Sequence, residues 1–435
     1  MTDKFVHSNV ALGENGHLTF AGVDTVELAE EYSTPSLFVD EDRVRSRCRE
    51  YVSAMKKYLP VGSFPLFASK ALSFKEIYRV VGSEGMGTDI VSSGELFTAA
   101  TAGFDMSRAF FHGNNKTDFD IKYAIKSGIG YFIADGEEEL YCIDAAAKNA
   151  GVTQKILLRL TPGIDPHTHK KISTGGVDSK FGSAIGTGLA ERITKLALSL
   201  GNVELCGFHC HIGSQIFETE PYIAAVDIMT DFIAKMKEKY GYEPKYLNLG
   251  GGFGVRYVEK DPVISYEENL KVLSDAIKLI CKAEKVKMPD IYVEPGRSIV
   301  ADSGITLYTT QGVKSITGYK NYVSVDGGMT DNPRYTLYQS AYTVINASKA
   351  AQPADFCATL AGCCCESGDL IGEDMKFARP DEEDVIAVLT TGAYNYSMAS
   401  NYNRVARPPI VAIKGGKDRL VVRRESLDDL IKNDI

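Results

Sequence analysis

From residue 35 the chain alternates short apolar runs with longer segments whose apolar positions recur every three or four residues. The apolar runs stand at 64–69, 88–91, 109–112, 131–134, 156–160, 203–211, 246–249 and 291–294. Runs of that length read as buried strands, and the segments between them as amphipathic helices. The segment 137–149 illustrates the second kind. It opens after Asp135 and Gly136 and stops at Gly151, residues suited to the two ends of a helix. Eight strand–helix units between residues 35 and 302 predict a parallel α/β TIM barrel rather than an open doubly wound sheet. Beyond Gly304 the rhythm becomes alternating and turn-rich, as in 322–328 and 385–389, which is the pattern of antiparallel sheet. Runs 409–414 and 419–424 flank Gly415 and Gly416, a hairpin signal. The first 34 residues hold strand pieces such as His17-Leu18-Thr19-Phe20 and a helical stretch at 26–32, and are expected to join the second domain. The expected division is a barrel over 35–302 and a mainly antiparallel β-sandwich or barrel built from 1–34 and 303–435.

Chemistry in such barrels sits at the carboxyl ends of the strands. There the chain places Lys70, Asp89, His112, Arg159, His211, the glycines 250–252 and Glu294. A lysine at the edge of an apolar layer is costly unless a charge partner or covalent chemistry removes the penalty. The glycine run 250–254 follows strand seven, and Glu294-Pro295-Gly296-Arg297 follows strand eight, both places where barrels hold phosphate. The run lacks the spacing of a dinucleotide fingerprint, so a nicotinamide cofactor is not expected.

In the segment 207–215, His209 and His211 share one face of a strand while Cys210 points the other way. Such a pair could ligate zinc, but no further histidine–carboxylate cluster completes a ligand set in the sequence, and no metal is expected. An imidazole stacked on a planar cofactor and a Ser214 hydroxyl on its phosphate would use the same residues. Glu294 should face a cation, and a pyridinium nitrogen meets that requirement. Together these residues point to pyridoxal 5'-phosphate, with Lys70 as its covalent anchor, 250–252 and Gly296 on its phosphate, His211 on one ring face and Glu294 at the ring nitrogen.

Composition narrows the setting. A chain of 435 residues with 44% hydrophobic content can build more than one core. The net charge of −9 is spread without a basic block, which argues against a nucleic-acid surface. No run approaches the roughly 20 apolar residues of a membrane span, and the opening has no signal-peptide character, so the cytoplasm is the expected compartment. Nine irregularly spaced cysteines, three of them adjacent at 363–365, read as reduced thiols.

Over nearly its whole length the chain resembles the fold type III pyridoxal-phosphate decarboxylases, whose barrel is of the alanine-racemase kind. The resemblance is carried by FASKAL at Phe67, GMGTDIVSSGEL at Gly85, FHGNNKT at Phe111, LRLTPGIDPHTHKKISTGGVDSKFG at Leu158, GFHCHIGSQ at Gly207, LNLGGGFG at Leu247, EPGRSIVADSG at Glu294, VDGGM at Val325, CESGD at Cys365 and GAYNYSMASNYN at Gly392. It implies a homodimer whose active sites are each completed by Cys365 and Glu366 of the partner subunit, with Cys365 as the acid that protonates the product carbon. It implies that Ser214 and Tyr394 hold the cofactor phosphate, with Asp89, Gly251, Gly252 and Arg297 also among the cofactor-binding residues. Arg297, Arg334, Tyr338 and Tyr394 would meet the substrate, the first three clasping a distal carboxylate, while Glu366 would meet a distal ammonium. Lys180 and Asp369 are candidates for a pairing across the dimer. The small-molecule substrate implied is meso-diaminopimelate, decarboxylated to L-lysine in the last step of lysine biosynthesis. The alternatives are another basic amino acid or carboxynorspermidine on the same fold, or a non-catalytic homologue. Phe67, Leu72, Tyr335 and Tyr342 depart from the family's usual residues, which bears on substrate selection and leaves the catalytic groups in place. The loop 166–178, rich in glycine and histidine, reads as a lid.

Overall fold

Every apolar run expected to form the barrel does so in the computed structural model, which describes residues 5–164, 176 and 179–435. The strands are Phe64–Ala68, Gly87–Ile90, Ala109–Phe111, Tyr131–Ala134, Gln154–Thr161, Val203–His209, Tyr246–Asn248 and Asp290–Val293. Each pairs in parallel with the next, and the last pairs with the first through Tyr292 and Phe64, so the sheet closes. Strands covered on both faces need near-continuous apolar sequence, which is why these runs lack alternation.

Inside the barrel the alternation returns as layers. Leu66, Phe110, Tyr131, Ile133, Leu157 and Tyr292 pack into one apolar cluster, with Phe110 stacked on Tyr131 at 4.4 Å. Two positions further along four strands, the same inward face carries a polar residue: His112 after Phe110, Arg159 after Leu157, Asn248 after Tyr246 and Glu294 after Tyr292. A side chain repeats its face every second residue, so an apolar plug beneath dictates a polar ring above.

The helix expected at 137–149 runs Glu137–Ala150. Gly151 closes it in a left-handed conformation, and three glutamates in the first turn suit its amino end. The start differs in detail. Gly136 caps without a side-chain bond, while Asp135 accepts from the Gly182 N–H at 3.0 Å.

The barrel unit comprises Arg47–Gly254 and Ile264–Gly296, and a second unit comprises Met1–Ser46, Val255–Val263 and Arg297–Ile435. The first boundary therefore falls after residue 46 rather than 34, and the last after residue 296 rather than 302. Ser36–Asp40 is drawn into the second unit by two backbone ladders, antiparallel to Gly304–Ile316 and parallel to Ile410–Lys414. Gly304–Ile316 also pairs with Lys320–Val325 and Val385–Leu389. The hairpin of Ile410–Lys414 and Lys417–Val422 turns at Gly415 and Gly416, with φ of 56° and 71°. Leu18 and Phe20 pack in this unit's core against Phe38, Ile305, Leu307, Ala387 and Val411. Among the described residues no helix is long and apolar enough to cross a membrane. The lid expected at 166–178 lies, except for Gly176, outside the described residues.

Phe110→Ala should cost about 3–5 kcal/mol, because it removes a ring from the plug that seats the polar layer. A shift of the urea-unfolding midpoint at unchanged slope would register that loss.

Candidate active site

Barrel strand one ends in a single tight turn, Ser69–Ala71. Ser69, Ala71 and Leu72 are fully buried while Lys70 is exposed, so the turn sends out the amine alone. Two carboxyls brace it. Asp89 accepts from the Ser69 backbone N–H at 2.9 Å, and Glu95 accepts from the Ser69 hydroxyl at 3.0 Å and the Val91 N–H at 2.8 Å. Burial, reinforced by the charge of Glu294, pushes the Asp89 carboxyl well above the usual range, against the pull of Lys70. Burial likewise raises Glu95.

Glu294, which settles the other way, is 6% exposed. Its Oε1 accepts from Asn248 Nδ2 at 2.7 Å and lies 3.0 Å from His112 Nε2, off the line of a well-directed hydrogen bond. Its Oε2 lies 3.3 Å from His209 Nε2. Burial alone would raise this carboxyl, but the imidazoles of His112 and His209 outweigh it and hold Glu294 well below the usual range. Burial lowers both histidines in turn, His112 to about 4, so neutral imidazoles face an ionised carboxylate. The sequence reading expects no third group to complete a ligand set around His209. His112 and Glu294 do gather there, their ligand atoms and that of His209 within 4.8 Å of one another. His209 thus keeps company with strands three and eight rather than with His211.

His211 lies beyond the strand end, where its Nδ1 accepts from the Gly251 N–H at 3.2 Å. Burial and the charge of Lys70 lower it well below the ordinary imidazole range. Close backbone approach accounts for the glycines. A Cβ at Gly251 would lie 2.1 Å from Glu294 O, and one at Gly252, where φ is +103°, would lie 2.3 Å from Gly213 O, beside Ser214. A Cβ at Gly296 would stand 2.7 Å from that of Ala68. Asn248 ties this rim to the carboxylate: its Oδ1 accepts from the Gly250 N–H at 2.9 Å while its amide serves Glu294.

The second unit carries its own cluster. Arg297 and Arg334, each 6% exposed, stand over the Tyr394 ring at 4.7 and 5.5 Å, and Arg334 is 5.0 Å from the Tyr338 ring. Arg297 donates to the Tyr257 hydroxyl at 2.7 Å. Tyr394 holds φ of +62°, an uncommon conformation for a bulky residue and one that concentrates at functional sites. Tyr342, one of the departures from the family, donates to Asn395 at 3.2 Å, and Tyr335 donates to Glu373 at 2.8 Å. Cys365 and Glu366 are exposed on a turn, with the Cys365 N–H given to Asn403 at 2.9 Å. Asp369, expected to pair with Lys180 across a dimer, is 2% exposed. It accepts from the Met329 and Cys364 N–H groups at 2.6 and 2.7 Å, so its carboxylate braces its own turn.

The donor set of the barrel mouth meets the needs of pyridoxal phosphate: an amine for its aldehyde, a permanent anion for its ring nitrogen and a glycine rim for its phosphate. That places the chain among the barrel enzymes that use this cofactor. Residues 41–301 match the family described as pyridoxal-dependent decarboxylase, pyridoxal binding domain. The diaminopimelate decarboxylase of Bacillus methanolicus is 42% identical over 97% of this chain and 98% of its own, and that of Bacillus subtilis is 40% identical over 99% and 98%. The crystal structure of the M. jannaschii diaminopimelate decarboxylase in co-complex with L-lysine superposes with a TM-score of 0.89 at 34% identity, covering 98% of both chains. The chain belongs to the pyridoxal-dependent decarboxylases and, within them, to the diaminopimelate decarboxylases.

Sequence reasoning passes over Asn248, Glu95 and Tyr257 and gives His112 no role. The two-residue alternation behind Tyr246 and Phe110 is the available signal for Asn248 and His112. Tyr257 carries no such signal, since its role depends on contacts distant in sequence.

The neutral histidine gives the molecule an acid-side weakness. The folded form refuses the proton that an unfolded His112 takes up near 6.5, so stability falls as pH drops from 6.5 toward about 4. Glu294, held below 4.5, extends the loss at lower pH. Raised carboxyls such as Asp331, pushed up to about 7 by burial, act with the opposite sign, so the measure is the difference: between about pH 7 and about pH 5 the wild type should lose more, or gain less, unfolding free energy than His112→Gln.

Proposed function

We propose that the chain decarboxylates meso-diaminopimelate to L-lysine and carbon dioxide, the last step of lysine biosynthesis, as a cytoplasmic homodimer. The observation that carries the choice of substrate is the pair of buried guanidiniums gathered on Tyr394. Two guanidiniums gathered on one ring favour an anion beside them, and a distal carboxylate is the anion this substrate has and simple diamino acids lack. Full-length likeness to diaminopimelate decarboxylases supports the same reading.

Pyridoxal phosphate, when bound, supplies the electron sink for the pair left behind by the departing carboxylate. Lys70 would anchor it through its side-chain amine. Glu294 would keep the ring nitrogen protonated, and Asp89 braces the turn that carries Lys70. Gly251, Gly252, Gly296, Ser214 and Tyr394 would hold the phosphate, and His211 would cover one ring face. Arg297, Arg334 and Tyr338 orient the far end of the substrate, which sets which carboxylate is lost. Glu366 of the partner subunit meets the distal ammonium, and Cys365 of the partner subunit returns a proton to the product carbon.

Carbon dioxide release should be faster from meso-diaminopimelate than from L-lysine, L-ornithine or L-arginine. Preference for any of the latter three overturns the assignment. Arg334→Ala should lower kcat/KM for meso-diaminopimelate by about a hundredfold or more, since a substrate carboxylate loses a charged partner. Lys70→Ala should abolish turnover and the visible absorbance of the covalently held cofactor.

A further inference from the structure

The three side chains that hold Glu294 are all uncharged. Asn248 donates to one oxygen, His112 approaches the same oxygen at 3.0 Å, and His209 approaches the other at 3.3 Å. The two imidazoles meet edge to face with centroids 5.0 Å apart, so each limits the tilt of the other. They are 5% and 1% exposed and stand at the ends of barrel strands three and six, whereas the carboxylate follows strand eight.

We propose that His112 and His209 are positioning residues that clamp Glu294 from its two oxygens as neutral imidazoles, His209 by a hydrogen bond and His112 by close contact, fixing its orientation while leaving its negative charge available to the cofactor. The proposal rests on the reading that Glu294 faces the ring nitrogen. A lysine or arginine in either position would orient the carboxylate equally well but would pair with its charge, and the ring nitrogen would lose its counter-ion. A neutral imidazole supplies an N–H without that pairing. His209 is held to the neutral form by its surroundings: its Nδ1 is buried and makes no hydrogen bond among the described residues. Protonation would create a buried donor with nothing to receive it, a penalty that keeps the single proton on Nε2, toward Glu294. His112 is reached by the same burial and by the positive field of Arg159, both of which oppose a second proton. The clamp also touches the glycine rim through Asn248, which bonds Glu294 and the Gly250 N–H together. A swing of the carboxylate would therefore disturb the rim as well as the ring-nitrogen contact.

The test measures cofactor affinity, by titrating pyridoxal phosphate into full-length protein stripped of it and following fluorescence, in single and double variants. His209→Leu should weaken binding about tenfold, the effect of losing one hydrogen bond to a charged group, and His112→Leu, which removes a close contact off the hydrogen-bond line, should weaken it several-fold. His209→Gln, whose amide reaches the position of Nε2, should recover most of that loss. On a Glu294→Gln background, itself weakened more than either histidine variant, the leucine substitutions should change affinity less than about twofold, since no charge remains to be aimed. Circular dichroism and urea midpoints check the fold; if His209→Leu does not fold, His209→Asn, whose amide stops short of Glu294, takes its place. An equal loss from the histidine substitutions with and without the Glu294 charge overturns the clamp and leaves the ring-nitrogen reading standing. Unchanged affinity in Glu294→Gln alone overturns that reading, and the clamp with it.

Discussion

One constraint organises the barrel: a carboxylate must stay ionised where there is almost no water. Glu294 is nearly buried, and the cost of desolvating its charge favours protonation. The barrel meets that cost by surrounding the group with polar neighbours at fixed distances: Asn248 and His209 as hydrogen-bond partners and His112 at 3.0 Å, drawn from strands seven, six and three. A protonated Glu294 could not serve as the counter-ion proposed for a pyridinium, so on that proposal its neighbours are a condition of the chemistry and more than packing. They also explain the apolar plug. Phe110 and Tyr246 lie two residues before His112 and Asn248, and hold the strands in the register that brings those side chains to one carboxylate.

The neighbouring carboxyl shows the other outcome of the same physics. Asp89 is equally buried, accepts one backbone N–H and feels the field of Glu294, and its carboxyl is driven upward. Two buried carboxyls within reach of one another cannot both stay charged cheaply, and the donors decide which one does. Asp89 is thereby suited to bracing the Lys70 turn, a task that needs only an acceptor oxygen. Geometry, not residue type, separates the two roles.

Much of this is legible in the chain itself. The eight barrel runs are readable because a strand buried on both faces has no freedom to alternate, and Lys70 and Glu294 are readable because charge at the end of such a run needs a reason. The hairpin at Gly415 and Gly416 is readable because a tight turn with two positive φ angles selects glycine. Ser36–Asp40 reads as part of the barrel because its composition resembles the barrel's. No local signal names its partners, Gly304–Ile316 and Ile410–Lys414, far away in the chain. Glycines 250–252 read as room for an anion, whereas the backbone oxygens of Cys210, Glu294 and Gly213 already demand them. The meeting of His112 with His209 is out of reach for the same reason as the partners of Ser36–Asp40: it joins strands three and six, which nothing local connects.

The two units solve opposite electrostatic problems, and their donors differ accordingly. In the barrel the fixed group is an anion, proposed to keep its charge for a cation, and its neighbours are an amide and two neutral imidazoles. In the second unit the fixed groups are cations: Arg297 and Arg334 stand over the Tyr394 ring, and Arg297 donates to a phenol. In each case the neighbours just named carry no opposite full charge. A salt bridge would hold either group more tightly, but it would consume the interaction that a ligand is meant to supply. Uncharged positioning of charged groups is thus the feature that lets the same residues be rigid before binding and selective on binding.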